Sequence, residues 1–211
     1  MALPAEIQDL IDRAAEALHL ELKNWIDLTE PVVRAKSARH LAALANHGGG
    51  YLIIGMRDDG KLDPQQPDDL SGYTHDQITG IVDRYLSPTF QCDVFIGSPT
   101  GAAGKCVVVR IPSHGSVPVC AKADGPHDER DRPQGIRRGE YYIRVPGPKS
   151  VAIESPEQWR SLIHRCVLNE RQSLLESIAR VLLSTDRSTE EGAPTLKAWH
   201  DAMRKQIKDV L

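Results

Sequence analysis

Three acidic residues lie at positions from which their carboxylates could share one site. Glu16 is near the end of a first predicted helix, Glu21 is on the outward face of the strand that follows, and Asp58 is in a turn after a second strand. Carboxylate oxygens are the ligands that Mg²⁺ and Mn²⁺ prefer, and such an ion can activate water and stabilise charge on a phosphoryl oxygen. The three acids are therefore a candidate divalent-metal site.

The same acids also have an ordinary structural interpretation. Glu16 could be a solvated helix residue, Glu21 and Lys23 an exposed strand pair, and Asp58 and Asp59 a routine hairpin turn. Spacing by itself favours this second interpretation, since single charged residues at such positions usually face water. Both interpretations stay open on the pattern alone.

The elements that would position these acids follow from the periodicity of the apolar residues. Helical spacing predicts helices over 6–18, 31–46 and 73–86, and a long one of about 28 residues that starts after Ser155. Strands are predicted over 18–23, 51–56, 89–97, 105–112, 117–124 and 139–146. The charged stretch 125–138 is predicted to be a mobile loop, and 195–211 a final amphipathic helix.

Length and composition predict one main globular domain. The chain has 211 residues, of which 40% are hydrophobic and 26% charged, as in an ordinary soluble protein. We expect an α+β fold over 1–165, with a mixed or antiparallel sheet flanked by helices, and a C-terminal helical extension over 166–211. A formal charge of −3 makes any polyanion binding local.

The expected location is the cytoplasm. No apolar run approaches the roughly 20 residues that cross a bilayer, and the N-terminus has acids where a signal peptide would have bases. The four cysteines are too far apart for a CxxC pair, and we expect them to be reduced and mostly buried. No membrane association is predicted.

Several sequence motifs occur along the chain in the order that is found in one protein family. They are EALHLELK (Glu16–Lys23), LANHGGGYLIIG (Leu44–Gly55) and the turn DDG (Asp58–Gly60). Later in the chain come IPxxxxxPV (Ile111–Val119) and EYYIR (Glu140–Arg144). Together they resemble the Schlafen AlbA-type domain, over roughly residues 16–165, and the resemblance implies the α+β fold of that domain.

The resemblance also implies which acids would act. Nuclease members of the family bind a catalytic metal ion, Mg²⁺ or Mn²⁺, through two glutamates and one aspartate. The two glutamates match Glu16 and Glu21. The third acid is either Asp58 or Asp59, and we prefer Asp58 because it holds the family's position three residues after Gly55.

Basic residues provide the candidate contacts to nucleic acid. Lys23 could bind phosphate or hold the neighbouring carboxylates together against their repulsion. The remaining candidates are Arg137, Arg138, Arg144 and Lys149, in and after the charged loop. Asn46 and the glycines that follow it are expected to serve the backbone first, and a phosphate beside the glycine loop is the alternative.

Two classes of function follow from the resemblance. The first is a divalent-metal-dependent endoribonuclease that acts on structured RNA such as transfer RNA, with RNA preferred to DNA. The second is a non-catalytic nucleic-acid-binding or assembly module, for example a regulatory or host-defence component. Nucleotide binding without hydrolysis is a third possibility. A homodimer or a protein partner is expected to form through the C-terminal helices.

Overall fold

The computed structural model describes residues 3–185 and confirms the α+β fold class. Its helices are α1 (Ala5–Asp12), α2 (Pro31–His47), α3 (His75–Tyr85) and α4 (Pro156–Thr185). Its strands are β1 (Leu20–Lys23), β2 (Gly50–Ile54), β3 (Leu86–Ser87), β4 (Asp93–Gly97), β5 (Cys106–Ile111), β6 (Cys120–Ala121), β7 (Tyr142–Val145) and β8 (Lys149–Ala152). The main sheet has the order β1-β2-β5-β4, with β1 parallel to β2 and the other pairs antiparallel.

Both faces of the main sheet are buried because helices cover each of them. In β2, Leu52 and Ile54 pack in the cluster that includes α2, whereas Ile53 packs with Ile7 and Ile11 of α1. Successive side chains of a strand point to opposite faces, so a continuous apolar run is what a doubly covered strand requires. The run YLIIG therefore became a central strand.

Helix α2 is the element on which the other layers are assembled. It begins at Pro31, which is tolerated in the first turn, and ends at His47 before Gly48. Gly48 adopts a left-handed backbone with φ of 117°, and its N–H donates to Ala45 O. The helix and its glycine cap match the sequence prediction.

Two small two-stranded sheets, β3 with β6 and the hairpin β7–β8, accompany the main sheet, and the buried side chain of Asn46 joins α2 to the segments that lead into them. Its Nδ2 donates to Val119 O at 2.8 Å and to Tyr142 O at 2.9 Å, and its Oδ1 accepts from Val119 N at 2.8 Å. Asn46 therefore has a structural role, but through its side chain and not through the left-handed backbone that was predicted; Gly48 adopts that backbone. The same bonds explain why the strand predicted over 117–124 shortens to Cys120–Ala121: the backbone of Val119 bonds to a side chain instead of to a strand.

The end of α1 was predicted wrongly, whereas the loop predicted over 125–138 contains no named helix or strand, and its mobility stays a prediction. Helix α1 ends at Asp12 instead of Leu18, since the chain turns between Ala17 and Leu20, whose backbones bond to each other before β1 begins. Glu16 is therefore on a connecting segment and not on a helix. The stretch 125–138, predicted as a mobile loop, is held by backbone bonds from Gly125 to Ile136 and from Gln134 to Pro126.

The long C-terminal helix is confirmed as one element, α4, of 30 residues. Contacts divide the chain between Val167 and Leu168. In the first unit, Leu162 is buried and Arg165 donates to Asn46 O at 3.0 Å. In the second, the described side chains from 170 to 180 are exposed. The boundary at 165/166 stays a prediction, and the helix predicted over 195–211 lies outside the described residues.

None of the helices within residues 3–185 has the length and apolar character needed to cross a membrane.

Replacing Asn46 by Ala is expected to lower the free energy of unfolding by about 3 kcal/mol, because three buried backbone groups lose their partner and each such group costs about 1–3 kcal/mol. Urea denaturation followed by circular dichroism measures the change. Asn24→Ala, at an exposed position, is the matched control and should change stability by less than about 0.5 kcal/mol. Equal stability of the two variants would contradict the role of Asn46.

The cysteines should differ in reactivity. Burial raises the pKa of both Cys92 and Cys106 to about 12, whereas Cys120 and Cys166 are half-buried free thiols. Since the thiolate is the reactive form, iodoacetamide at a pH of about 8 should label Cys120 and Cys166 first, and Cys92 and Cys106 only in denaturant. Peptide mapping by mass spectrometry reads out each position. Early labelling of Cys92 would show that the core is more open than described.

Candidate acidic site

Glu21 is buried, which corrects the prediction that it lies on an outward face of β1. Only 3% of the residue is exposed. The polar face of β1 is covered, because His40 of α2 and Arg144 of β7 both reach the Glu21 carboxylate. The alternation in the sequence placed Glu21 on the polar face correctly, but it could not show that other elements pack over that face.

Three nitrogen-bearing side chains surround the Glu21 carboxylate. Lys23 Nζ lies 2.5 Å and His40 Nδ1 3.2 Å from Oε1, and Arg144 Nη1 donates to Oε2. Ser150 Oγ lies 3.1 Å from both His40 Nδ1 and Arg144 Nη1. The buried carboxylate is thus paired and hydrogen-bonded, as a buried charge must be.

Arg144 is the most enclosed member of this cluster. Its side chain is 0% exposed, and Nε donates to Leu18 O at 3.2 Å. Nη2 donates to Ala17 O at 3.0 Å and to Leu20 O at 3.3 Å. In this structure Arg144 holds β7 against the start of β1, and it is out of reach of a phosphate. Its predicted place among the nucleic-acid contacts is corrected accordingly.

The electrostatic balance around Glu21 favours its charged form. Burial opposes ionisation, but His40, Lys23 and Arg144 together hold the pKa of Glu21 below its usual value. Burial also lowers the pKa of His40 to about 4, in spite of the attraction of Glu21. His40 is therefore neutral near neutral pH, so its charge does not help to ionise Glu21 there, and its Nδ1 is hydrogen-bonded with Ser150 Oγ. The side chains next to Glu21 that stay positively charged at neutral pH are Lys23 and Arg144.

Glu16 is half-buried on the segment between α1 and β1 and belongs to the same electrostatic site. Burial and the charges of Glu21 and Asp58 raise its pKa, while Lys23 and the backbone of Leu22 act in the opposite direction. The charges of Glu21 and Asp58 therefore act on Glu16, and the turn that carries Asp58 packs through Gly60 against Ala14 O, two residues before Glu16. That the three acids form one functional site stays a prediction.

The two aspartates in the turn after β2 make different contacts. Asp59 pairs with Arg57 at 2.7 Å and with Lys61 at 3.7 Å, so it stabilises the turn. Asp58 is exposed and, within residues 3–185, has no ion pair. Gly60 brings this turn against the first segment: a Cβ there would lie 2.4 Å from Ala14 O. Of the two aspartates, Asp58 is the one that acts on Glu16.

The three acids do not form a ready three-carboxylate metal site. Their oxygens suit a hard divalent cation in chemistry, but no group of three His, Cys, Asp or Glu side chains in the described part of the chain is arranged to hold a metal ion. The reason lies at Glu21, whose two oxygens are already taken by Lys23, His40 and Arg144. Glu16 and Asp58 lack such strong pairing.

Sequence reasoning missed His40 and Ser150 as members of this site. No motif in the sequence links His40 to Glu21. Ser150 lies on a hairpin that the sequence did not place. For Lys23, whose amine reaches Glu21, the prediction that it holds the carboxylates together agrees with its contacts.

The other predicted basic contacts are accessible. Arg137, Arg138 and Lys149 are all exposed, and Arg137 makes a long ion pair of 3.4 Å with Glu140. The glycine loop is better explained by packing: a Cβ at Gly50 would lie 2.3 Å from His19 O, and one at Gly49 would lie 2.9 Å from Ile111 O. Only glycine permits these close approaches.

Comparisons with known proteins support the interpretation of the motifs. A family model described as Schlafen, AlbA_2 matches residues 16–152, which is more than half of the chain. No curated protein matches the sequence. The chain is also similar to the solution NMR structure of the N-terminal domain of a putative ATP-dependent DNA helicase RecG-related protein from Nitrosomonas europaea. The identity is 20%, the match covers 71% of this chain and 95% of that chain, and the TM-score is 0.37. A similarity this low supports no transfer of function.

Replacing Arg144 by Met should lower the free energy of unfolding by about 3–5 kcal/mol, because it removes a buried partner of a buried charge. The double change Glu21→Gln with Arg144→Met should cost less than the sum of the single changes, since neither charge is then stranded. Arg138→Met is the exposed control. Denaturant unfolding of the four variants tests the coupling, and additive losses would show that the pair is not coupled.

Proposed function

Because the chain belongs to the Schlafen AlbA_2 family, we propose that it handles nucleic acid, with RNA preferred to DNA, and that Glu16, Glu21 and Asp58 form a hydrolytic centre. The supporting observation is geometric: Gly60, next to the Asp58–Asp59 turn, packs against Ala14 O, so this turn lies beside the segment that carries the half-buried Glu16. Burial and the charges of Glu21 and Asp58 raise the pKa of Glu16 in agreement with this arrangement. Such clustering of like charges around a shifted carboxyl is common at functional sites. The substrate class is carried by the family resemblance.

In this proposal Glu21 orients the site and the two less constrained acids face the substrate. Lys23, 32% exposed at its side chain, is the nearest cation that could meet a phosphate. Arg137, Arg138 and Lys149 are proposed to hold the nucleic-acid backbone, since exposed cations release counterions when they bind phosphates. Pairing through the C-terminal helices remains part of the proposal, with the final helix outside the described residues.

A divalent metal ion, Mg²⁺ or Mn²⁺, remains the predicted cofactor of an endoribonuclease at this site. When bound, such an ion would supply an activated water and neutralise charge on the phosphate. If all three acids bound this ion together, Glu21 would have to give up one of its present partners. Lys23 is the most exposed of these partners.

A second candidate function is a non-catalytic nucleic-acid-binding or assembly module. It is favoured by one specific observation: the Glu21 carboxylate, which a nuclease would need for its metal ion, is neutralised by Lys23 and Arg144. In that case the acids would be a structural cluster, and binding would depend on the exposed arginines. The two candidates differ in whether metal ions promote cleavage.

The full chain should cleave total RNA in Mn²⁺ or Mg²⁺ and leave it intact in EDTA, as seen on a denaturing gel. Glu16→Gln and Asp58→Asn should reduce the rate by roughly 100-fold, the loss that follows removal of a catalytic group. Asp59→Asn, in the same turn, is the matched control and should retain activity. These variants avoid Glu21, whose loss would disturb the buried pair.

Binding is measured on the same proteins in EDTA. Combined Arg137→Ala and Arg138→Ala changes should weaken RNA binding and reduce its salt dependence by about one unit of slope per lost contact. Intact RNA in every condition, with binding retained, would select the non-catalytic module. Absence of both cleavage and binding would refute the nucleic-acid function itself.

A further inference from the structure

A cavity of about 500 Å³ lies between the segment that leaves β1 and the loop that precedes α3. Its walls come from residues 25–29 on one side and from 65–73 on the other. Trp25 and Tyr73 contribute aromatic surface, and Asp27 and Asp69 contribute carboxylates. A volume of this size is in the range of small-molecule and base-sized ligands.

The aromatic wall is held in place. The rings of Trp25 and Tyr73 meet edge to face, with centroids 5.3 Å apart and an angle of 60°. Tyr73 OH donates to Ile26 O at 2.8 Å, and a Cβ at Gly55 would lie 2.4 Å from the Trp25 ring. Trp25 is half-buried and Tyr73 is buried, so Trp25 is the ring with more surface open to a ligand.

The two carboxylates are also held in place. Asp27 Oδ1 accepts from Thr29 N at 2.8 Å and from Thr29 Oγ1 at 2.7 Å. Asp69 Oδ1 accepts from Ser71 N at 2.8 Å, and its Oδ2 accepts from Ser71 Oγ at 2.6 Å. These bonds lower the pKa of both aspartates, which are therefore ionised at neutral pH.

The charges exclude a phosphate from this cavity. Among the described residues that line it there is no Lys, Arg or His, and two carboxylates are negative. This lining disfavours anions and suits a flat ligand that is rich in hydrogen-bond donors. Guanine meets these conditions, because its N1–H and 2-amino group are adjacent donors that one carboxylate can accept together.

The neighbouring cavity provides the complementary chemistry. It has a volume of about 470 Å³, shares Ile26 with the first cavity, and is lined by Lys23, Arg57 and Asp58. The cations of the neighbouring cavity would suit the phosphate of a nucleotide. The carboxylates beside Trp25 would accept hydrogen bonds from its base. This continuity favours a nucleic acid over an isolated small molecule.

We infer that the cavity formed by Trp25, Asp27, Asp69 and Tyr73 is a base-recognition pocket that selects guanine in the RNA bound at the acidic site. The inference rests on the proposed function and adds its sequence preference. Enzymes and binding proteins commonly recognise an unpaired base by aromatic stacking and by bonds to its Watson–Crick edge.

A methylated or free cationic side chain of a protein is the competing ligand, since carboxylates and aromatic rings also attract cations. A cation cage surrounds the charge with several open ring faces. Here Tyr73 is buried and its hydroxyl is bonded to Ile26 O, so one ring carries most of the accessible aromatic surface. A single platform suits a flat base better than a cage.

The experiment uses the full chain in EDTA and three fluorescein-labelled RNA pentamers, UUGUU, UUIUU with inosine, and UUUUU. Anisotropy should show at least tenfold tighter binding of UUGUU than of UUUUU, with UUIUU between them because inosine lacks the 2-amino group. Trp25→Phe and the double variant Asp27→Asn with Asp69→Asn should abolish this preference. Trp159→Phe, at an exposed tryptophan on α4, should retain it.

Equal affinity for the three pentamers, with RNA binding retained, would overturn the inference and leave the proposed function intact. The inference would also fail if the preference survives in both pocket variants while circular dichroism shows them folded. Specific binding of a tetralysine peptide that disappears in the aspartate variants, without any base preference, would assign the cavity to a cationic peptide. Failure of the wild-type chain to bind any RNA would instead overturn the proposed function.

Discussion

The buried ion pair between Glu21 and Arg144 is the interaction on which the architecture of this domain depends. Removing a carboxylate and a guanidinium from water is unfavourable unless each is almost fully hydrogen-bonded. Arg144 meets that demand by donating to the backbone oxygens of Ala17, Leu18 and Leu20 as well as to Glu21. The pair thereby ties the β7–β8 hairpin to the start of β1, and the chain near Glu16 is held in the same place.

The same pair determines what the acidic site can do. The Glu21 carboxylate is neutralised by Lys23 and Arg144, and it lies 3.2 Å from Nδ1 of a neutral His40. Burial and the negative charges of Glu21 and Asp58 raise the pKa of Glu16. In this structure the Glu21 carboxylate is therefore engaged in structural contacts, and the proposed hydrolytic chemistry would have to use the same carboxylate.

Local patterns predicted most of the framework. The uninterrupted run after Pro31 and the glycines after His47 predicted α2, and the apolar run from Tyr51 predicted β2, because propensity and capping act over a few residues. The errors had two origins, a local turn that the periodicity did not indicate and a contact between distant segments. The turn between Ala17 and Leu20 shortened α1, and the bonds of Asn46 to Val119 shortened the strand that became β6.

The sequence by itself determined the family and the α+β class, and it indicated the candidate acids Glu16, Glu21 and either Asp58 or Asp59, since these depend on residue types and their spacing along the chain. Only the tertiary structure decided that Glu21 is buried, that Asp58 and not Asp59 acts on Glu16, and that Arg144 is a partner of Glu21. It also decided that Trp25 lines a cavity with Asp27 and Asp69. Burial and charge pairing are properties of segments far apart in sequence, and a one-dimensional pattern has no signal for which element will cover which face.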